Sequence, residues 1–371
     1  MKSKKKCRII SLMVICVIIC SVFTGLTGCG KKVEAPKATT KKVTTQTITD
    51  DAGRKVTIPI KIKKCYYTSP IGMIMVYSLA PDKMAGWSMQ LTDNEKKFIP
   101  AKYASLPFLG GLQMNGKINT EELVKVKPDV IFSVGPDAID QTTVSTANKL
   151  QEQLKIPVIV IDNSDKKIDK AYALMGKILG AQDRAKKLAA YCTSTIKEVT
   201  AATKNIPKEK RVNVYYAEGP KGLQTEPTGS SHALVLDMVN ANNVAKVQVK
   251  NGSGMSDVSM EQVLSWNPDV IISWGKDAGG ASDLIKTSSD WKNINAVKDG
   301  KIYEIPNSPF NWFDRPPSVN RFLGLKWLAA TLYPNNYKVN MVKEVKNFYS
   351  LFYHANISDN DAKALLKNSI K

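Results

Sequence analysis

The chain has 371 residues, with 53 basic against 33 acidic side chains, a formal charge of +20 and only two histidines. That histidine count leaves too few ligands for a usual bare zinc or manganese site unless carboxylates dominate. No Gly-x-Ser-x-Gly, His-Glu-x-x-His or Gly-x-x-x-x-Gly-Lys-Ser/Thr pattern occurs, which argues against a hydrolase and places any ATPase on a separate chain.

Residues 1–28 read as an export signal. Lys2, Lys4, Lys5, Lys6 and Arg8 precede an apolar run from Ile9 to Phe23, too short for a comfortable membrane span. Leu26-Thr27-Gly28-Cys29 then resembles a bacterial lipobox, which implies cleavage before Cys29 and lipidation of that cysteine. The localisation expected is the extracytoplasmic face of a cell membrane, by lipid anchor. Residues 29–47, rich in Lys and Thr without apolar period, read as a disordered tether. Without the five signal-region cations the formal charge is +15, and its lysines are spread along the whole chain, so a uniformly basic surface explains most of it. The export signal disfavours a nucleic-acid partner. Beyond the signal and Cys29, only Cys65 and Cys192 remain, one in a strand-like and one in a helix-like run, so buried thiols are expected rather than a disulfide.

Asp50 to Arg54 is a turn between two short β runs. A core strand follows over Lys64–Thr68, a helix over Ile71–Leu79 and a strand over Met84–Trp87. Residues 121–135 then present a pattern that returns, 140 residues later, at 261–275, with seven identical positions. Each copy predicts a short helix, a Pro break, a buried Val/Ile strand and a Gly turn. Each begins with a capping box, Asn119 with Glu122 and Ser259 with Gln262, and each puts an acid, Glu121 or Glu261, at the second helical position. Between the copies lie a helix over about 139–155, the strand Val158–Ile161, a helical stretch from about Ile168 to Lys204 and a strand over Arg211–Tyr216. A helix over about 231–240 precedes the second copy; the strand Ile302–Ile305 and an apolar helical stretch from Ser318 follow it.

The fold class expected is α/β: two similar lobes with mainly parallel sheets, joined by one long helix, with a ligand cleft between them. The domains are 48–178 for the first lobe, 179–208 for the interlobe helix, and 209–371 for the second lobe with its terminal helices.

Several local patterns carry a family resemblance. Thr49 to Arg54 resembles an opening hairpin, and Asn242-Asn243-Val244-Ala245 a loop of the second lobe. Asp290–Ile294 with Ala296–Tyr303 resembles a late helix–turn–strand, and Glu121 and Glu261 each stand seven residues before a Pro. Together they resemble the substrate-binding lipoproteins of ABC importers, of the class serving iron–siderophore, haem and cobalamin uptake. The resemblance implies a non-enzymatic monomer without cofactor, a rigid interlobe helix, and docking of Glu121 and Glu261 on an ABC permease dimer with a separate ATPase. It implies an anionic metal chelate as cargo; an oxyanion such as molybdate is the alternative within the same class, and a lipid-anchored hydrolase a distant one.

The cleft should be lined by loops at the carboxyl ends of parallel strands. That rule nominates Tyr67, Trp87, Tyr216, Ser231, His232, Trp274, Trp312 and Arg315 as ligand-binding residues. The run 309–318 is the densest of these loops, with aromatics for stacking and Arg315 for a bidentate anion contact; a structural Arg315, paired with Asp314 or a buried carbonyl, is the competing reading. For Ser230, Ser231 and His232, an anion site and plain helix capping stand side by side. Ser318 is placed to cap the last helical stretch.

Overall fold

The computed structural model describes residues 44–112, 118–135, 139–250 and 254–370. The signal, Cys29 and most of the tether lie outside them, as do Pro136, Gly252 and Ser253. Thr45–Thr47, assigned to the tether, belong instead to strand β1 (Thr45–Thr49), which pairs antiparallel with β2 (Lys55–Pro59). The buried Asp50 carboxylate organises the turn between them. It accepts from the backbone N–H groups of Ala52, Arg54 and Val160 and pairs with the Arg54 guanidinium, tying the hairpin to the first lobe.

The first lobe is a parallel sheet of β3 (Cys65–Tyr67), β4 (Val130–Val134) and β5 (Val158–Ile161), with β4 in the middle. The run Met84–Trp87, expected as a strand, contributes only isolated bridges, Cys65 to Met84 and Trp87 to Phe108. The second lobe orders its parallel strands as β11 (Ile302–Glu304), β10 (Val270–Ser273), β6 (Asn213–Ala217) and β8 (Asn242–Asn243). Beside it lies a small antiparallel pair, β7 (Gln224–Thr225) with β9 (Ser256–Asp257). Asn242-Asn243, read as a loop, is the edge strand β8; two asparagines carry no strand pattern, and tertiary pairing with β6 decides.

The duplicated segment takes one conformation twice. The helices Thr120–Val126 and Met260–Trp266 both end in a left-handed residue, Lys127 and Asn267. The repeated Asp then has a structural role. Asp129 accepts from the backbone of Lys63 and Lys64 and donates its own N–H to the Lys64 carbonyl; Asp269 does the same with Asn213. Each carboxylate thus sets the register between a lobe's first strand and its repeated strand. The caps differ. Ser259 and Gln262 form a full box, whereas Glu122 turns to Lys125 at 2.7 Å and Asn119 caps alone.

Two helices, not one, fill 168–204: Ile168–Leu179 and Gln182–Thr203, separated by Gly180 at φ +64, a conformation that suits glycine. The second, 22 residues and roughly 33 Å long, is the interlobe helix. It packs on the helices Ile168–Leu179 and Pro70–Leu79 of the first lobe and on Asn320–Leu332 of the second. The first of the two terminal helices, Met341–Tyr353, grouped by the sequence with the second lobe, returns to the first lobe, where the Tyr77 hydroxyl donates to the Tyr353 carbonyl at 2.7 Å. One continuous apolar core runs through both lobes, and a smaller cluster around Tyr215, Ile271 and Trp291 covers the other face of the second sheet. No helix among the described residues is long and apolar enough to cross a membrane. Cys65 and Cys192 are buried free thiols.

Candidate functional site

The sites proposed from sequence divide into two groups. Tyr67, Trp87 and Trp312 are core residues, with at most 2% of their surface exposed. The Tyr67 hydroxyl donates to the Gly86 carbonyl, and the Trp87 indole donates to the Tyr103 carbonyl at 2.9 Å. With all three buried, and the polar tips of Tyr67 and Trp87 satisfied internally, these three leave the ligand list. Both sheets are covered on both faces and bury all four of Tyr66, Tyr67, Tyr215 and Tyr216.

The remaining second-lobe candidates converge. Tyr216 ends β6 and donates its hydroxyl to Asp314 at 2.7 Å, while the Trp274 indole, just beyond β10, donates to that same hydroxyl at 2.8 Å. Asp314 comes from the loop after β11. The Asn311 side chain shapes this loop by accepting from the backbone N–H groups of Phe313 and Asp314, and the Arg315–Pro316 peptide is cis. The other Asp314 oxygen stands 2.8 Å from His232 Nδ1. His232 and Ser231 sit in a single 3₁₀ turn, Ser231–Ala233, which Ser230 caps by accepting from the His232 N–H. Both are half-buried at the edge of the cluster. Ser318 caps nothing: Val319 holds the cap position, and the Ser318 hydroxyl is buried without a partner.

Arg315 is held by acids that sequence reasoning missed. Its Nη2 lies 2.9 Å from Glu218 and 2.8 Å from Glu226, and Nε is 3.6 Å from Asp314. The guanidinium lies over the Trp274 ring, 5.3 Å from its centroid. Asp314 was the expected partner, but Glu218 and Glu226, both fully buried, sit closer. Burial works against the guanidinium's charge, yet Asp314, Glu218 and Tyr216 outweigh it and hold its pKa above the ordinary value. Burial, with Asp314 and Glu226 nearby, pushes the Glu218 carboxyl up to about 9 against the pull of Arg315. Glu218 Oε2 has no hydrogen-bond partner. Glu226 is the hub: it accepts from Arg315, from Ser230 Oγ at 2.6 Å and from the Met255 N–H at 2.8 Å. A side chain at Gly254 would press to 2.0 Å from Glu226 Oε1, and the residue's φ is +74, so only glycine fits there.

The sequence signal that could have found these acids is position. Glu218 immediately follows β6, at the carboxyl end of a parallel strand, and Glu226 immediately follows β7.

Glu226, His232 and Asp314 each offer a ligand atom, all within 4.8 Å of one another. Those atoms are largely engaged already, by Ser230, Met255, Arg315 and each other. The atom left over is His232 Nε2, which makes no hydrogen bond among the described residues. A carboxylate on one imidazole nitrogen fixes the ring and its tautomer and leaves the other nitrogen as a lone-pair donor, the support usual for metal-ligating histidines.

Residues 94–309 match the periplasmic binding protein family, and the chain belongs to it: it is a substrate-binding protein of an ABC transporter, not an enzyme. The chain is similar to the molybdate-binding protein of Haemophilus influenzae, with 26% identity over 85% of this chain and 93% of that one. The structure of that protein bound to molybdate superimposes with a TM-score of 0.68, covering 84% of this chain and 99% of the other. An ABC transporter solute-binding protein from Sulfurospirillum deleyianum is 31% identical, with a TM-score of 0.79 over 86% of this chain and 99% of that one. An iron(3+)-hydroxamate-binding protein of Bacillus subtilis is 21% identical over 86% and 94% of the two chains.

Proposed function

We propose that the protein, anchored through lipid on Cys29 outside the cell membrane, captures a metal chelate between its lobes and delivers it to an ABC permease dimer. A ferric siderophore, haem or cobalamin would fit this description. The observation that carries the reading is His232: Nδ1 is held by Asp314 and Nε2 makes no hydrogen bond among the described residues, suiting it to complete the coordination of a metal that its chelator leaves open. The Trp274–Arg315 pair beside it offers a flat stacking surface for a planar chelator. Ser231 flanks the same edge, and Tyr216 supports the group from beneath. Glu121 and Glu261, exposed on equivalent helices, provide one docking acid per lobe.

The likeness to the molybdate-binding protein favours a second reading, an oxyanion in the same cleft. The Glu226 and Asp314 carboxylates facing the single guanidinium weigh against it, because they already balance the positive charge that a bare dianion would need. A thermal-shift panel of ferric siderophores, haem, cobalamin and molybdate decides. A true cargo at 100 times its dissociation constant stabilises the fold by about 2.7 kcal/mol. The chelate reading expects one metal complex to give that shift and His232→Ala to abolish it; a shift with molybdate alone establishes the oxyanion instead.

A further inference from the structure

Among the described residues, eight large apolar side chains are exposed. Singly, such residues are ordinary and need no explanation. Two of them, however, occupy the same position of the duplicated segment. Val124 and Leu264 each stand three residues after the lobe's acid, Glu121 or Glu261, and are 51% and 38% exposed. The burial of the two copies from 121 to 130 and from 261 to 270 agrees at every position but one. Residues three apart on a helix share a face. Each lobe therefore displays one acid and one apolar side chain side by side, on helices of equal length that both end in a left-handed residue. The neighbouring Leu123 and Val263 are buried, so the exposed positions are not needed for the core.

We infer that Val124 and Leu264 are the apolar halves of two equivalent docking patches, and that their partner is the pair of membrane subunits of the importer. The inference rests on the delivery role proposed above and adds the chemistry of the contact. Two like patches on one chain require two like sites on the partner, hence a partner built from two equivalent subunits. Each of those sites must offer a cation for the Glu and an apolar pocket for the Val or Leu. The acid sets encounter rate and register, and the apolar residue supplies affinity through burial.

The test uses the full chain in its producing cell, with a photoreactive phenylalanine analogue placed at position 121, 124, 261 or 264, one at a time. Both 124 and 264 are expected to crosslink to the same polytopic membrane protein that 121 and 261 reach. In membranes containing that protein, Val124→Ser and Leu264→Ser should each weaken binding of the chain about tenfold, while the thermal shift given by the cargo panel is unchanged. Crosslinks from 121 and 261 but none from 124 and 264 would overturn the inference and leave the docking acids standing. So would crosslinks from one lobe only, or serine variants that bind as the parent does. If no compound of the panel binds but all four positions crosslink, the cargo reading fails and the docking inference holds.

Discussion

At the level of single residues, the account turns on a buried polar cluster whose members hold each other in place. Arg315 was read from sequence as a ligand contact or a structural pair, and the distances put it in an ion-pair network with Glu218 and Glu226. Removing it strands two fully buried acids, so Arg315→Ala should cost about 3 kcal/mol of stability, measured by denaturant unfolding. A variant that unfolds like the parent but has lost cargo affinity would show a ligand contact instead. Glu218 supplies a pH dependence. Its carboxyl is pushed up to about 9, so the folded state holds a proton that the unfolded chain gives up near the ordinary carboxyl range. The resulting stabilisation is complete below the unfolded value and is lost as pH rises through the folded one. Melting temperatures taken between pH 5 and 9 should therefore fall with rising pH in the parent and fall less in Glu218→Gln; parallel curves would contradict this. The aromatic and basic residues of the cluster were legible because their types are uncommon in loops at strand ends. Glu218 and Glu226 were not, because a lone Glu in sequence reads as a solvated charge, and only burial beside Arg315 gives it meaning.

At the level of elements, the repeat was the most legible feature, since helix period, Pro break and Val/Ile run all point to the same structure. What it concealed was the role of Asp129 and Asp269, whose partners in the preceding strand lie more than fifty residues away. The helical stretch 168–204 was legible as helix, and Gly180 was the available signal for its division. The return of Met341–Tyr353 to the first lobe was not legible, because an amphipathic pattern shows that a helix is covered but not by what. Arg184 of the interlobe helix spans the contact: its guanidinium donates to the Ser78 carbonyl at 2.6 Å in the first lobe and to the Leu351 carbonyl at 2.6 Å in the returning helix, and it stands 3.2 Å from His354 Nε2. Burial, and then Arg184 itself, hold the His354 pKa below its ordinary value. Arg184→Ala leaves two carbonyls without their charged donor and should cost about 2 kcal/mol. Hydrogen exchange should show the loss as faster opening of the returning helix, while uniform protection would assign the helix's position to apolar packing alone.

At the level of the whole molecule, two lobes share one core and are bridged by a straight helix. The lobes are further linked by Arg321 and Asp165 at 3.4 Å, both nearly buried. The two-lobed architecture followed from the repeat and from strand–helix alternation, whereas the cargo contact proposed above rests on one histidine and its support, which no periodicity reveals. On the proposed reading His232 Nε2 ligates the metal of a captured chelate, and X-ray absorption at the metal edge of the loaded protein reads that bond. One added nitrogen ligand at about 2.0–2.1 Å with the outer-shell pattern of an imidazole is expected, present in the parent and absent in His232→Ala. A loaded protein whose metal keeps the same shell as the free chelate, with or without His232, would contradict it.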